Sequence, residues 1–298
     1  MTYSIAARCA DTGQLGVAVQ SHFFGVGRVV PWVHGGVGAI ATQAQAELNY
    51  GAEGLERLRA GESPPAALAA LVAADDRSDH RQVGVVDAAG RVAAHTGASC
   101  IAEASHVVDD GFTTHANMML EPGVAERMAE VFAASAGPLW ARLLEALDAA
   151  EAAGGDIRGR QSAALVIADV APTGPARAGH LIDVRVDDDA EPLVELRRLA
   201  EKGASHAEFS RAASLRTSGQ ADAAVGAFGS VVEAHPDRRE FAFWHAQLLA
   251  GSGRLDEARA TIAIAFEGAD GDRWRELLRR LPATGRVEET VVEQLLAD

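Results

Sequence analysis

Thr2 follows the initial methionine and opens a run of strand character, Tyr3-Ser4-Ile5-Ala6-Ala7-Arg8. Threonine is small enough for Met1 to be excised, which would leave a hydroxyl and a free α-amine on one residue. An α-amine titrates at about 7.7–8.0. Near neutral pH it can therefore take the proton of its own hydroxyl, the pairing used by N-terminal threonine nucleophiles. The competing reading is that a small residue simply follows methionine, as it does in many chains. A centre that cleaves amides also needs an oxyanion donor and groups that orient the nucleophile. Asn117, at the end of a strand-like stretch, is the candidate donor. Ser21 and Gln20 end the second strand, where either could hydrogen-bond the Thr2 amine. Thr42 and Gln43 leave an apolar strand, facing a cleft or capping the next helix. Lys202 is the single lysine, so local positive charge falls to Arg8, Arg28, Arg81 or Arg160, of which Arg160 is preferred. Arginine does not give up its proton, so its part would be electrostatic or substrate-anchoring. Each of these residues has a plain structural alternative in strand-end hydrogen bonding, helix capping or surface ion pairing.

Other chemistries are less well supported. His180 with Asp183, and His106 with Asp109 and Asp110, suggest metal ligands, but a catalytic zinc needs three converging ligands and an open position. No G-x-S-x-G elbow is present, although Ser21 or Ser162 remain alternative nucleophiles. Gly25-Val26-Gly27 lacks the strand-to-helix setting of a dinucleotide loop. No cofactor is expected. A formal charge of −15 argues against a general nucleic-acid binder. There is no apolar run of membrane-spanning length and no basic-then-apolar leader. Cys9 and Cys100 suggest neither a disulfide framework nor a metal. These features together lead us to expect a soluble cytoplasmic protein.

The elements that must position Thr2 follow from periodicity. A hairpin is expected from Tyr3–Arg8 and Leu15–Ser21, then a buried strand over Gly36–Thr42. A helix over Tyr50–Ala60 stops at Gly61, and Ser63 caps another that begins with Pro64-Pro65. Gln82–Asp87 and Arg91–Thr96 read as a second hairpin, with a further strand over Phe112–Met118. Helices over Pro122–Ala134 and Pro138–Ala153 precede strands over Gln161–Asp169 and Leu181–Val186. Hairpins imply antiparallel pairing. The expected fold is therefore α+β, a four-layer α-β-β-α sandwich over residues 1–190. From residue 191 to 298 the pattern is all helical. Ser218-Gly219-Gln220-Ala221-Asp222-Ala223-Ala224 repeats at Ser252-Gly253-Arg254-Leu255-Asp256-Glu257-Ala258, 34 residues on, which is the tetratricopeptide (TPR) period. Phe209 and Phe243, Phe228 and Ile262, and Val231 and Ala265 keep the same offset. Residues 273–281 read as a capping helix.

Residues 2–200 resemble the family known as domain of unknown function 1028. The likeness is carried by Thr2-Tyr3-Ser4-Ile5, Gly16-Val17-Ala18-Val19-Gln20-Ser21, Val30-Pro31-Trp32 and Gly36-Val37-Gly38-Ala39 with Ala41-Thr42-Gln43. It continues through Arg81-Gln82-Val83-Gly84-Val85-Val86-Asp87, Ala116-Asn117-Met118, Gly159-Arg160-Gln161-Ser162 and Asp183-Val184-Arg185-Val186. The resemblance implies an N-terminal-nucleophile (Ntn) hydrolase-like fold and brings no established activity. The TPR-like tail departs from the shorter helical C-terminus of that family.

The expected function is an Ntn-type amidohydrolase cleaving a small amide or peptide-like bond, with Thr2 as nucleophile and base. Asn117 or backbone N–H groups would hold the oxyanion. The alternative is a non-catalytic scaffold whose TPR-like tail binds a protein or peptide partner. No nucleic acid or membrane partner is expected, and the tail could also mediate homo-oligomer formation.

Overall fold

The computed structural model describes residues 2–170 and 179–297. The chain divides between Gly203 and Ala204 into two compact units. In the first, the described residues form ten strands in two antiparallel sheets. β1 (Thr2–Arg8), β2 (Leu15–Ser21), β7 (Ser105–Asp109), β8 (Phe112–Asn117), β9 (Ser162–Ala168) and β10 (His180–Val186) make a six-stranded sheet. Its order is β10-β9-β2-β1-β8-β7. β3 (Pro31–His34), β4 (Gly38–Ala44), β5 (Arg81–Asp87) and β6 (Val92–Thr96) make the second sheet, in that order.

The two-residue period of a strand divides the faces of each sheet. On the first, Tyr3 and Gly16 face helices α3 (Val124–Ala134) and α4 (Leu139–Ala152). The Tyr3 hydroxyl donates to Glu151 at 2.6 Å, and a Cβ on Gly16 would meet Leu143. Thr2, Ser4 and Ala6 face the other way, toward the second sheet. There Ala6, Val17, Val19 and Val166 pack with Val33, Ala39, Ala41 and Val86. Helices α1 (Leu48–Arg59) and α2 (Pro64–Ala74) cover the far face of the smaller sheet, where Tyr50, Leu58, Leu68 and Leu71 meet Ile40, Val83 and Val85. Ser63 Oγ caps α2 as expected.

Periodicity did not reveal β3 and β7. Both are short edge strands with half-exposed residues, so neither shows a clear apolar alternation or a buried run.

The second unit is helical. Its elements are the C-terminal part of α5 (Pro192–Thr217), α6 (Ala221–Ala234), α7 (Arg239–Gly251), α8 (Leu255–Phe266), α9 (Gly271–Arg280) and α10 (Glu289–Leu296). Gly219 and Gly253, 34 residues apart, both turn at positive φ, 80° and 77°, where glycine meets no Cβ penalty. Phe209 stacks on Phe241 at 4.7 Å and meets Phe228 edge-on at 4.9 Å. Phe243, Leu249, Ile262, Ala265 and Leu278 form the adjoining core. α10 contributes Val292 and Leu295 to it and stands outside the repeat, which is why the repeat pattern does not reveal it. Among the described residues no helix is long and apolar enough to cross a membrane.

Candidate active site

Five strands place polar side chains at one end of the space between the sheets. Thr2 begins β1 opposite Asn117, which ends β8. Ser21 ends the neighbouring β2. Gln43 and Gln82 face each other on β4 and β5 of the other sheet. Buried polar groups must be hydrogen-bonded, and these bond to one another. The Thr2 hydroxyl donates to Ser21 Oγ at 3.1 Å. The Thr2 carbonyl accepts from Gln43 Nε2 at 3.1 Å and Asn117 Nδ2 at 3.3 Å. The same two amides donate to Gln82 Oε1, at 2.7 and 2.9 Å. Gln82 Nε2 in turn reaches Thr96 Oγ1 and the carbonyls of Ser105 and Ala116. Ser4 Oγ donates to Gln43 Oε1 at 2.7 Å and lies 3.2 Å from His115 Nδ1, whose other nitrogen lies 3.0 Å from Thr113 Oγ1. Burial lowers the His115 pKa to about 3, so the ring is neutral at any ordinary pH.

Thr2, Ser21, Gln43 and Asn117 are thus brought together, while Arg160 lies outside the network. Its guanidinium pairs with Glu151 at 2.6 Å and with Glu191, on the helix side of the sheet where Tyr3 points. Arg8 bonds the Ala88 carbonyl, Arg81 bonds Asp75, and Arg28 lies over the Phe24 ring. The positive charge sought near Thr2 is therefore not among the described contacts of these four residues.

Asn117 also takes a different part from the one its position suggests. Both of its Nδ2 protons are engaged, so the amide clamps Thr2 instead of facing an open oxyanion position. Alternation puts Gln20 on the helix side with Tyr3, where its amide atoms are buried without partners. Thr42 donates to the Glu47 carbonyl at the start of α1. Ser162 holds the loop after β2, donating to the Phe23 carbonyl and accepting from the Val26 N–H. His106 bonds Thr96, and His180 pairs with Asp183 at 3.4 Å. Among the described residues no group of three or more His, Cys, Asp or Glu is placed to hold a metal.

Sequence reasoning missed Ser4, Gln82 and His115. The signal was present, because Ser4 shares the face of Thr2 and Gln82 directly precedes the run Val83-Gly84-Val85-Val86. Thr2 is buried, with 6 % of its surface exposed. Exposed Phe23, Leu120 and Ile157 lie in the segments after β2, after β8 and before β9. Met1, whose removal an amine catalyst requires, lies outside the described residues. Ala44 and Met118 are the non-glycine residues with positive φ among those described, at 66° and 61°. Each directly follows one of the two amides that hold the Thr2 carbonyl.

No curated protein matches the chain. A crystal structure of protein SPO2555 from Silicibacter pomeroyi, assigned to DUF1028, is similar, with a TM-score of 0.61 and 31% identity. The likeness covers 67% of this chain and 85% of that one. A tetratricopeptide-repeat model matches residues 215–281. The model of the family of unknown function DUF1028 matches residues 2–196. This chain, with a TPR-like segment after its two-sheet unit, belongs to the DUF1028 family.

Proposed function

We propose that the N-terminal unit is an Ntn-type amidohydrolase, its two sheets between helix pairs an Ntn-hydrolase-like sandwich, with Thr2 as nucleophile. The observation that carries this reading is the strained backbone at Ala44 and Met118. A non-glycine residue in this region costs on the order of 1–2 kcal/mol, and such strain collects at functional sites. Here it flanks both clamps on one residue.

With Met1 removed, the Thr2 amine takes the hydroxyl proton as Oγ1 attacks the carbonyl of a small amide or peptide-like bond. Ser21, already bonded to that hydroxyl, orients it. Gln43 and Asn117, braced by Gln82, fix the Thr2 backbone. Backbone N–H groups, or Asn117 released from Thr2, hold the oxyanion. The amine then gives its proton to the leaving nitrogen, and water resolves the acyl-enzyme.

The test is intact mass of the natively expressed protein, followed by an amide-substrate screen against Thr2→Ala. A chain beginning at Thr2, with turnover lost by at least about a thousandfold in the variant, is expected for a nucleophile. Quantitative retention of Met1, or turnover unchanged in Thr2→Ala, refutes the mechanism.

The closure of the Thr2 network supports a second reading, a non-catalytic scaffold whose TPR-like unit binds a protein or peptide. That unit has a groove of about 780 Å³ between Phe209, Trp244 and Val291. Partner capture that survives Thr2→Ala, with Met1 retained, would favour it.

A further inference from the structure

A separate cleft of about 650 Å³ lies where the edge strands β3 and β10 come together, flanked by α1 and by the turn at Val26–Arg28. His180 Nε2 meets the Val33 carbonyl across the two edges at 3.0 Å. One wall is apolar, made by Trp32, Val33 and Leu55. The Trp32 indole N–H is already used on the Val29 carbonyl, and its ring packs so closely on Gly51 that a Cβ there would lie 2.2 Å from it. The ring is therefore fixed in place.

The other wall carries Arg28 and Arg185. Arg185 Nη2 reaches Asp183 at 3.2 Å, but its Nε is buried without a hydrogen-bond partner. Its stem is held by the turn, since a Cβ on Gly27 would come within 2.9 Å of Arg185 Cγ. Arg28 stands 5.4 Å over the Phe24 ring and has no carboxylate partner among the described residues. The acidic side chains of the lining are partly spent, Glu56 on Arg59 and Asp183 on His180 and Arg185. Glu53 is the lining carboxylate without such a pair.

A chain of formal charge −15 repels anions at long range, so guanidinium groups with unused donors beside an apolar wall are a local exception to its field. We propose that this cleft binds a small organic acid, its carboxylate on the guanidinium groups of Arg28 and Arg185 and its apolar body against Trp32. Guanidinium matches a carboxylate in shape and charge, and the indole face suits a planar or branched apolar group. The site is separate from Thr2 and does not depend on its chemistry.

The test is titration of the full chain with benzoate, followed by the Trp32 indole N–H resonance, with benzamide and inorganic phosphate as comparisons. Saturable benzoate binding in the millimolar range is expected. Arg28→Gln and Arg185→Gln should each weaken it about tenfold or more, the scale of one lost charge-assisted hydrogen bond. Arg28→Gln alters an exposed side chain, so the test stands even if Arg185→Gln fails to fold. No binding at millimolar benzoate, equal binding of benzamide, or affinity unchanged in Arg28→Gln overturns the proposal. Phosphate binding at least as tight as benzoate, and lost in the arginine variants, overturns the assignment to an apolar acid.

Discussion

Arg81 projects from β5 on the side of the smaller sheet away from Thr2, yet it holds the backbone that follows the Gln43 clamp. Its Nε donates to Asp75 at 2.7 Å and its Nη1 to the Gln45 carbonyl at 2.6 Å, one residue past strained Ala44. The Tyr50 hydroxyl adds a third tie, to Asp75 at 3.2 Å. Hydrogen bonds from Arg81 hold the Asp75 carboxyl down to about 2, against 3.8 for a free one. A carboxylate with a depressed folded pKa stabilises above its unfolded pKa, and that contribution is lost as pH falls through the folded value. The stabilisation is therefore whole above about pH 4 and disappears as pH falls toward 2. Asp75→Asn should cost about 2–3 kcal/mol at neutral pH. The gap between wild type and variant, read from urea midpoints, should close in that acid window. A gap that is constant down to pH 2 would mean that the pair is not what ties this segment.

Strands β5 and β8 meet face to face across the sheets, and one glycine permits it. A Cβ on Gly84 would lie 1.8 Å from His115 Nε2 and 2.8 Å from Thr113, so β5 can approach only without a side chain there. Gly84→Ala should destabilise by about 3 kcal/mol or more, at or beyond the usual range for overpacking, because the obstacle is a fully buried ring. His115→Ala added to Gly84→Ala should recover part of that loss in denaturant unfolding. If Gly84→Ala unfolds like wild type, the sheets are not this close. The neighbouring Gln82 works at the same level of organisation. It belongs to β5 but braces Gln43 on β4 and Asn117 on β8, so three strands share one hydrogen-bond hub.

Each compact unit has its own core. Val17, Val19 and Val166 meet Val33 and Val86 between the sheets, and Phe243, Leu249, Ile262 and Leu278 pack within the helical unit. A core of its own is what allows a unit to fold alone. A fragment ending at Gly203 should therefore unfold cooperatively, with a circular dichroism spectrum richer in strand than that of the whole chain. A fragment that is unfolded, or that melts without a transition, would show that the first unit depends on the second. Leu196 and Ala200 are fully buried, which is why the cut belongs after α5 has begun rather than at its start.

The sequence by itself determined what depends on local pattern. Two runs of strand character, Tyr3–Arg8 and Leu15–Ser21, on either side of the turn Asp11-Thr12-Gly13-Gln14 specified the first hairpin, Ser63 with two prolines specified a helix start, and the 34-residue echo around Gly219 and Gly253 specified the helical repeat. Thr2 was legible as a candidate because it follows Met1 and opens a strand, and Asn117 because it ends a strand-like stretch that carries several polar residues. Only the tertiary structure decided who meets whom. A strand's period tells which residues share a face, not which sheet lies opposite, so the convergence of Gln43 and Gln82 on Thr2 could not be read along the chain. For the same reason Arg160, two residues before Ser162 of β9, ends on the outer face with Glu151. The spending of Asn117 on the Thr2 carbonyl, and the buried neutrality of His115, follow from packing two sheets together. Burial removes water as a partner, and each polar group must then bond to whatever the opposing strand presents.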